Sequence, residues 1–376
     1  MRVVFLVRSL DYGGAERQLL LLAKGMDKSR FEPVVLCFYD GGPLQTELLQ
    51  AGIRVISLNK RNRWDVAGFL WRLAHKVIEL KPDVLHGYLP VPNFLAALLK
   101  LVYPSMRVVM GVRTSGKDLD RYDWTYRASF WLERLFAGLA DLVILNSQAG
   151  KTAYVKKGFR PEKMTVISNG IDTEIFSPNR ESGRELREEW GVPATAVMIG
   201  IIGRLDPMKG HAIFLQAAAR LDSPRLRFAV VGDGAQAYRQ DLVNLGGSLG
   251  LANRLVWAAS RRDVAQVYNA LDICCSASLF GEGFPNVVGE AMACGVPCVV
   301  TDVGDSAWVA GAGGLTVVPN DCNALSETLA RISRLSSEER FALGQQARKR
   351  IVENFSVEMM VRRTEEAFEA VVGDRR

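Results

Sequence analysis

The chain has 376 residues, of which 48% are hydrophobic and 23% charged, and its formal net charge is +6. This length predicts two domains rather than one core, and no apolar run approaches the roughly 20 residues of a membrane span. The six cysteines form no C-x-x-C pair and the three histidines lack metal-ligand spacing, which argues against a disulfide scaffold or a zinc protein and favours a reduced cytoplasm. The opening MRVVFLVRSL is interrupted by Arg8 and is interpreted as a strand, not a signal sequence.

Short apolar strands alternate with helical segments along the chain. The first series is RVVFLV, PVVLCF, IRVISL, DVLHGY, RVVMGV, DLVILN and MTVIS. After the charged stretch FSPNRESGRELREEWGVPATA, which we interpret as a linker, the series resumes with AVMIGIIG, LRFAVVG, RLVWA, LDICCS and PCVVTD. This alternation is typical of βα units and parallel sheets. We predict an α/β chain of two Rossmann-like, doubly wound parallel-sheet domains that face one another across a ligand-binding cleft.

The interruption of this alternation sets the predicted domain boundaries. An N-terminal domain spans residues 1–177 and a C-terminal domain spans residues 178–355. The last helical segment, residues 356–376, has no strand of its own. We expect it to pack back on the N-terminal domain.

The segment FGEGFPNVVGEAMACGVPCVV, residues 280–300, carries a chemical signal. Pro285 favours a helix start and Gly295 a helix end. Glu282 then precedes the helix, and Glu290 lies about 7 Å further along its axis. Because the free N–H groups of a helix N-terminus suit a phosphate, the segment fits a nucleotide clamp. An ordinary buried βα unit explains the same pattern without a ligand.

The loop IIGRLDPMKGH supplies two cations, Arg204 and Lys209, after the first strand of the second domain. In a parallel sheet this loop opens at the same edge as the Glu282 loop. Arginine binds a diphosphate through its planar fork and lysine as a point charge. Each residue alone is an ordinary surface cation.

Basic charge is concentrated in the first half of the chain. Residues 1–178 contain 25 Lys and Arg against 17 Asp and Glu, a balance of +8, and the remainder balances at −2. The excess includes NKRNRWD (59–65) and DRYDWTYRASFWLERLF (120–136), which mix basic and aromatic residues. This composition fits a surface for anionic lipid or a pyrophosphate-bearing acceptor, and it equally fits a solvated helix face. No motif supports nucleic-acid binding.

GRLDPMKG, followed about eighty residues later by EGFPNVVGEAMACGVPCVVTD, resembles the signature of the retaining glycosyltransferases of family 4, which have the GT-B fold. SLDYGGAERQL and ISNGID match the same family, so the resemblance spans nearly the whole chain. It implies transfer of a hexose or N-acetylhexosamine from a nucleotide sugar, UDP-sugar before GDP-mannose. The acceptor would be a glycan or a lipid-linked glycan in cell-surface polysaccharide or glycolipid synthesis, held by the N-terminal domain, while the C-terminal domain would hold the donor.

The resemblance also implies roles for residues of the second domain. Glu290 would bind the ribose hydroxyls of the donor, and Arg204 with Lys209 would hold its diphosphate. Glu282 would act beside the sugar as a third catalytic residue. Further donor contacts would come from Gly203, Arg262, Gly283, Phe284, Pro285, Asn286 and Val287.

In the first domain, Gly13 and Gly14 would let a loop and a helix N-terminus approach the donor phosphate. The acceptor or sugar candidates are His86, Tyr88, Arg113 and Asn169. Many family members carry a histidine two places after the one in DVLH, where this chain has Tyr88. His86 is therefore interpreted first as a strand-end packing residue, and Tyr88 as a hydroxyl that could contact the sugar or acceptor.

The expected chemistry follows from charge. Cleavage of a sugar–diphosphate bond moves negative charge onto the departing phosphate, so fixed cations would contribute most of the catalysis. The resemblance implies front-face attack with retention, the departing phosphate as proton acceptor, and no metal or other cofactor. The D-x-D pair Asp118 and Asp120 lies outside the phosphate loops and is interpreted as a polar helix lead-in.

Three other functions remain open from the sequence. A nucleotide-sugar 2-epimerase has the same architecture but needs further acid–base residues. A nicotinamide oxidoreductase needs a G-x-G-x-x-G turn, which SLDYGGAER does not supply. A non-catalytic nucleotide-sugar-binding protein would not need the full set of candidate cations and glutamates. We expect a cytoplasmic enzyme that is peripheral on the inner face of the membrane and binds no nucleic acid.

Overall fold

The structure, a computed structural model, describes residues 1–62, 64–113 and 124–373 and divides into two compact units. The second unit is Ile171–Ser356, and the first contains Met1–Gly170 with the C-terminal helix. Residues 171–177, which the sequence boundary assigned to the first domain, thus belong to the second unit. The physical reason is that the Ile171 N–H donates to the Phe355 carbonyl at 2.8 Å and the Ile171 side chain joins the core of that unit.

The first unit is built on a seven-stranded parallel sheet. Its strands are β1 (Arg2–Val7), β2 (Glu32–Cys37), β3 (Arg54–Ser57), β4 (Val84–Tyr88), β5 (Arg107–Val112), β6 (Leu142–Leu145) and β7 (Met164–Val166). They lie in the order β3-β2-β1-β4-β5-β6-β7. The helices between them are α1 (Gly14–Gly25), α2 (Pro43–Gln50), α3 (Ala67–Leu80), α4 (Pro90–Leu99), α5 (Trp124–Phe136) and α6 (Gln148–Lys156). All seven predicted strands are present, and the apolar runs of the central strands are buried because helices cover both faces.

The second unit contains a six-stranded parallel sheet. Its strands are β8 (Val197–Ile202), β9 (Leu226–Val231), β10 (Leu255–Ala258), β11 (Ile273–Ser276), β12 (Cys298–Thr301) and β13 (Gly314–Val317), in the order β10-β9-β8-β11-β12-β13. Its helices are α7 (Arg180–Glu189), α8 (His211–Ala219), α9 (Gln236–Ser248), α10 (Val264–Asn269), α11 (Asn286–Ala293), α12 (Ser306–Ala310), α13 (Cys322–Ser333) and α14 (Ser337–Phe355). The two-domain, parallel α/β prediction is confirmed.

Two details of the second unit differ from the sequence interpretation. The strand β13 was missed, because its run is only four residues long, follows a glycine-rich turn and is partly exposed. The stretch interpreted as a linker contains α7, whose buried Leu186 joins the core of the unit. Gly183 lets α7 approach α10 closely, since a Cβ at that position would lie 2.1 Å from the Asn269 carbonyl oxygen.

The last helix, α15 (Val357–Gly373), returns to the first unit and packs against α1. Phe368 is fully buried in the core that contains β1 and α1. The Asp27 N–H donates to the Glu365 carboxylate at 2.7 Å, and Arg30 lies 3.7 Å from the same carboxylate. These contacts make the end of the chain part of the first core.

No helix within the described ranges is both long enough and apolar enough to cross a bilayer. All six cysteines are free thiols, and only Cys322 is partly exposed. Burial raises the pKa of the Cys37 thiol to about 11, so that thiol stays protonated near neutral pH.

Candidate functional site

In the second unit, the loops that follow β8 and β11 meet at the C-terminal edge of the sheet. The Leu279 N–H donates to the Met208 carbonyl at 2.8 Å, which joins the two loops. Lys209 Nζ lies 2.5 Å from Glu282 Oε1, and Ser278 Oγ donates to the same oxygen at 2.7 Å. The structure therefore brings Lys209 and Glu282 together, as expected for two loops at one edge of a parallel sheet.

The turn that carries Lys209 has a fixed geometry. The Asp206 carboxylate accepts a hydrogen bond from the Met208 N–H at 2.9 Å and caps this turn. Gly210 has φ +70°, and a Cβ at that position would lie 1.9 Å from the Ala277 carbonyl oxygen. Only glycine fits this close approach, so the lysine is held by the backbone as well as by its ion pair.

Arg204 occupies a more open position in the same loop. It follows Gly203, whose φ is +148°. Its side chain is 67% exposed and lies 3.4 Å from the Asp206 carboxylate. Because an exposed ion pair of this kind is weak, the guanidinium is available to an anionic ligand.

The helix α11 begins at Asn286, directly after Pro285, and places Glu290 in its middle. The Tyr268 hydroxyl donates to Glu290 Oε2 at 2.7 Å. Burial, as the larger cause, and the nearby Glu290 carboxylate, as the second, raise the pKa of Tyr268 well above its ordinary value. The phenol therefore remains protonated and donates its hydrogen bond. Sequence reasoning missed Tyr268, because it lies 22 positions before Glu290 and no local pattern links them.

The other donor candidates have varied surroundings. Phe284 is buried in the core, with its ring centroid 5.6 Å from that of Phe355. The Gly283 carbonyl accepts a hydrogen bond from the Asp305 N–H at 3.1 Å. Val287 packs against the core, and Asn286 is half-buried at the helix start. Arg262 is exposed after β10 and forms no ion pair with any described residue.

His211, the first residue of α8, is a further polar residue at this edge. Its ring is fully buried, and neither ring nitrogen has a hydrogen-bond partner in the described part of the chain. Burial lowers its pKa to about 4, so the ring is neutral at physiological pH. Sequence reasoning did not select it, although it directly follows the Lys209–Gly210 pair.

In the first unit, three of the four acceptor candidates form one cluster. Arg113 Nη2 donates to the Tyr88 hydroxyl and Nη1 donates to Asn169 Oδ1, each at 3.1 Å. The Arg113 guanidinium also lies 5.0 Å from the centroid of the Tyr88 ring. These residues lie at the C-terminal ends of β4 and β5 and just beyond β7, so the sheet edge brings them together.

His86 has a different environment from the other three candidates. It lies inside β4, fully buried, with its ring centroid 4.8 Å from that of Tyr88, 5.7 Å from that of Phe5 and 5.5 Å from that of Phe368. Burial, with a smaller effect of the Arg113 charge, lowers its pKa well below the ordinary value. The side chain is therefore a neutral part of the core.

The glycine pair lies at the start of α1. Gly13 precedes the helix, and a Cβ there would lie 2.1 Å from Glu16 Oε2, whereas a Cβ on Gly14 would meet open space. Burial raises the pKa of Glu16. Gln18, which sequence reasoning missed, exchanges hydrogen bonds of 3.0 and 2.7 Å with the Gly170 backbone. This pair of bonds fixes α1 against the segment that carries Asn169.

Some sequence candidates lie outside the described residues. These are Asp118 and Asp120 of the D-x-D pair, Arg63, and the start of the run 120–136. Within the described residues, no group of three or more His, Cys, Asp and Glu side chains could hold a metal ion.

Family models match consecutive parts of the chain. The Glycosyltransferase Family 4 model matches residues 12–175, and the Glycosyl transferases group 1 model matches residues 196–334. The crystal structure of HepE of Anabaena in complex with UDP superposes with a TM-score of 0.85 at 26% identity, covering 98% of this chain and 100% of HepE. The chain belongs to the family 4 glycosyltransferases of the GT-B fold.

Two relatives of this family 4 glycosyltransferase carry glycosyltransferase names. It is 25% identical over 351 residues to EpsF of Bacillus subtilis, a provisionally assigned glycosyltransferase, covering 90% of this chain and 89% of EpsF. It is 28% identical over 235 residues to the UDP-Gal:alpha-D-GlcNAc-diphosphoundecaprenol alpha-1,3-galactosyltransferase of Escherichia coli, covering 60% of this chain and 59% of that enzyme. The similarity to EpsF thus extends over both units.

Proposed function

We propose that this glycosyltransferase moves a hexose or N-acetylhexosamine from a UDP-sugar, with GDP-mannose as second choice, to a glycan or lipid-linked acceptor. The observation that carries the proposal is the Lys209–Glu282 pair beside the exposed Arg204 at one sheet edge. The UDP donor is supported by HepE, which has been crystallised with UDP and with UDP-glucose. The lipid-linked acceptor is supported by the diphosphoundecaprenol acceptor in the name of the Escherichia coli relative.

The donor binds through its diphosphate and its ribose. Arg204 and Lys209 take the diphosphate, because both cations sit on one loop at the strand ends. Glu290, whose Oε2 is held by the Tyr268 hydroxyl, accepts hydrogen bonds from the ribose hydroxyls. Glu282 is engaged by Lys209 and Ser278, and it therefore positions the lysine beside the leaving group.

The reaction proceeds with retention and without a metal. The bond between the anomeric carbon and the β-phosphate oxygen breaks, and its electron pair goes to the phosphate. The acceptor hydroxyl oxygen bonds to the anomeric carbon on the same face, and its proton passes to the departing phosphate. Arg204 and Lys209 stabilise the developing charge, which is where electrostatic catalysis is most effective.

The acceptor is bound by the Tyr88–Arg113–Asn169 cluster of the first unit. Arg113 supplies a guanidinium that is oriented by two hydrogen bonds. An oriented guanidinium binds a phosphate or several hydroxyls of a glycan through its planar fork. The substitution Arg113→Lys removes this planar fork, and it should therefore raise the KM for the acceptor more than the KM for the donor.

The acceptor's lipid is reached through the α3 surface, which we define as residues 59–62, 64–66 and the exposed side chains of α3. Trp64 is 80% exposed and Trp71 is 68% exposed. Lys60 and Arg61 lie a few residues before Trp64 in the sequence. Interfacial tryptophan next to basic charge favours an anionic bilayer.

This surface is tested by co-sedimentation with phosphatidylglycerol vesicles. The bound fraction should fall for Arg61→Ser/Trp71→Ser and stay unchanged for the control Arg331→Ser. Binding of the Arg61→Ser/Trp71→Ser variant equal to that of the unaltered chain would contradict this surface.

The donor class is tested by thermal unfolding with UDP, GDP, ADP, CMP and dTDP, alone and as their common sugars, with and without EDTA. A ligand that binds only the folded state raises the melting temperature. We expect UDP and one UDP-sugar to raise it by several degrees regardless of EDTA. A rise with another nucleotide would reassign the donor, a rise that EDTA abolishes would contradict metal independence, and no rise would contradict the donor site.

The clamp at Glu290 is tested in the same assay. Glu290→Ala should weaken UDP binding at least tenfold, because the ribose contact is lost. Tyr268→Phe keeps the carboxylate and removes only its fixing hydrogen bond, so its loss should be smaller. Unchanged UDP affinity in Glu290→Ala would contradict this role of Glu290.

The type of reaction is tested by its products. Formation of a new glycosidic bond together with free UDP distinguishes transfer from epimerisation and from binding alone.

A further inference from the structure

A second concave site lies in the second unit, away from the donor loops, by which we mean the loops after β8 and β11 that carry Lys209 and Glu282. It is a cavity of about 580 Å³ lined by residues of α7, of α14 and of the segment that follows α11, and we name it the rear cavity. Asp272 and Pro297 line it and directly precede β11 and β12. It therefore opens at the N-terminal edge of the sheet, whereas Lys209 and Glu282 follow the C-terminal ends of the strands.

The lining of the rear cavity is rich in arginine. Four guanidinium side chains line it, with two carboxylates, and these residues are Arg180, Arg184, Arg187, Arg340, Glu188 and Asp272. Arg187 is committed to Asp272, with Nη2 at 2.6 Å from Oδ2. Arg184 Nε lies 4.0 Å from Glu188 Oε1, which is a long distance for an ion pair, and both side chains are about 70% exposed. That ion pair is therefore weak. The lining carries excess positive charge.

Neither Arg180 nor Arg340 forms a direct ion pair with a carboxylate among the described residues, and Arg340 interacts only through its charge with the Glu338 carboxylate. The Arg180 guanidinium lies 4.8 Å from the centroid of the Phe341 ring, which holds it by a cation–π contact. Arg340 donates only through Nη1, to the carbonyls of Ser333 and Leu335. Each guanidinium is thus oriented and still has N–H donors for an anion.

Apolar side chains also line the cavity, among them Val192, Leu271 and Val296, together with the uncharged polar residues Asn269, Ser337 and Gln345. A lining that combines several arginines with apolar side chains suits a ligand with a phosphate and a less polar body. The volume lies within the range of small-molecule sites, about 300–1,000 Å³. We propose that the rear cavity binds a phosphate-bearing small molecule, separately from the sugar donor. The helix α11 is shared by the two places, since Gly295 just beyond its end lines the cavity and its start follows Glu282.

The test is titration calorimetry of the full chain with inorganic phosphate, pyrophosphate and glucose 1-phosphate at an ionic strength held constant with NaCl. At least one probe should bind with a Kd below about 1 mM. The variant Arg180→Gln/Arg184→Gln should lose at least tenfold in affinity. The variant Arg331→Gln/Lys349→Gln, which removes the same charge elsewhere on the surface of this unit, should bind like the unaltered chain.

The donor-loop variant Lys209→Met/Glu282→Gln separates the two sites. Probe binding that persists in this variant and disappears in Arg180→Gln/Arg184→Gln supports the rear cavity. No binding of any probe, binding lost only in the donor-loop variant, or binding unchanged by the cavity variant overturns it. UDP titrated into the same proteins reports on the donor site, so failure of the proposed function is seen independently.

A second measurement needs no variant. Phenylglyoxal modifies accessible arginines, and peptide mass spectrometry locates the adducts. A saturating probe should protect Arg180 and Arg184 at least several-fold while leaving Arg331 unprotected. Equal modification with and without the probe would overturn the proposal.

Discussion

At the residue scale, the Lys209–Glu282 pair joins stability to activity. The Glu282 side chain is only 9% exposed, so Lys209→Met leaves a nearly buried carboxylate without its cation, which costs roughly 1–3 kcal/mol. In Lys209→Met/Glu282→Gln both charges are removed, so no unpaired carboxylate is left, and we expect most of that stability to return. Transfer activity should stay reduced roughly 10²–10³-fold in both variants, because the leaving phosphate has lost a cation. Urea unfolding and initial rates measure the two effects, and full activity in the double variant would contradict the role of Lys209.

Glu133 provides a pH-dependent test at the same scale. It is a buried residue of α5 and accepts hydrogen bonds from Asn93 Nδ2 of α4 at 2.5 Å and from the Tyr154 hydroxyl of α6 at 3.4 Å. Burial raises its pKa to about 7 from the usual 4.5. The neutral carboxyl therefore contributes stability that is complete below pH 4.5 and is lost as the pH rises through 7.

Glu133→Gln should remove this dependence. The free energy of unfolding of the variant, relative to the unaltered protein, should rise by on the order of 2–3 kcal/mol between pH 4.5 and pH 8. Taking the difference at each pH cancels the contribution of other titrating groups such as His86. Chemical denaturation at a series of pH values measures it, and a difference that does not change with pH would show that the Glu133 pKa is ordinary.

At the element scale, the turn between β8 and α8 depends on Gly210. Gly210→Ala forces an alanine into φ +70° and places its Cβ 1.9 Å from the Ala277 carbonyl oxygen. Gly191 is a matched control, because its φ is +64° and its Cβ would meet no atom within 4 Å. We expect Gly191→Ala to cost about 1 kcal/mol and Gly210→Ala clearly more, with weakened UDP binding. Equal losses of stability would mean that the contact with Ala277 relaxes freely.

At the scale of the whole molecule, the end of the chain completes the first unit. Phe368→Ala on α15 should destabilise that unit by about 3–5 kcal/mol, as expected for a large buried aromatic. Val352→Ala on α14, an exposed site, is the control and should cost little. Hydrogen exchange should quicken in β1 and α1 and remain slow in β8. Faster exchange in β8 as well would show that the two units unfold together.

The sequence alone determined the two parallel α/β units, because buried parallel strands need long apolar runs and their crossover helices need a separate amphipathic period. It also selected Arg204, Lys209, Glu282 and Glu290 as candidates, since these residues lie in short motifs tied to strand ends and a helix start. Local spacing carries both kinds of information. The strand β13 was missed where the run was too short to show a period.

Only the tertiary structure decided which distant groups meet. The Tyr268 hydroxyl on Glu290 and the Gln18 contact with Gly170 join positions far apart in the chain. It also decided that the His86 ring lies in the core, while Tyr88, two residues later, meets Arg113. Such contacts depend on how helices and strand ends pack in three dimensions, and the residues that form them carry no shared local pattern.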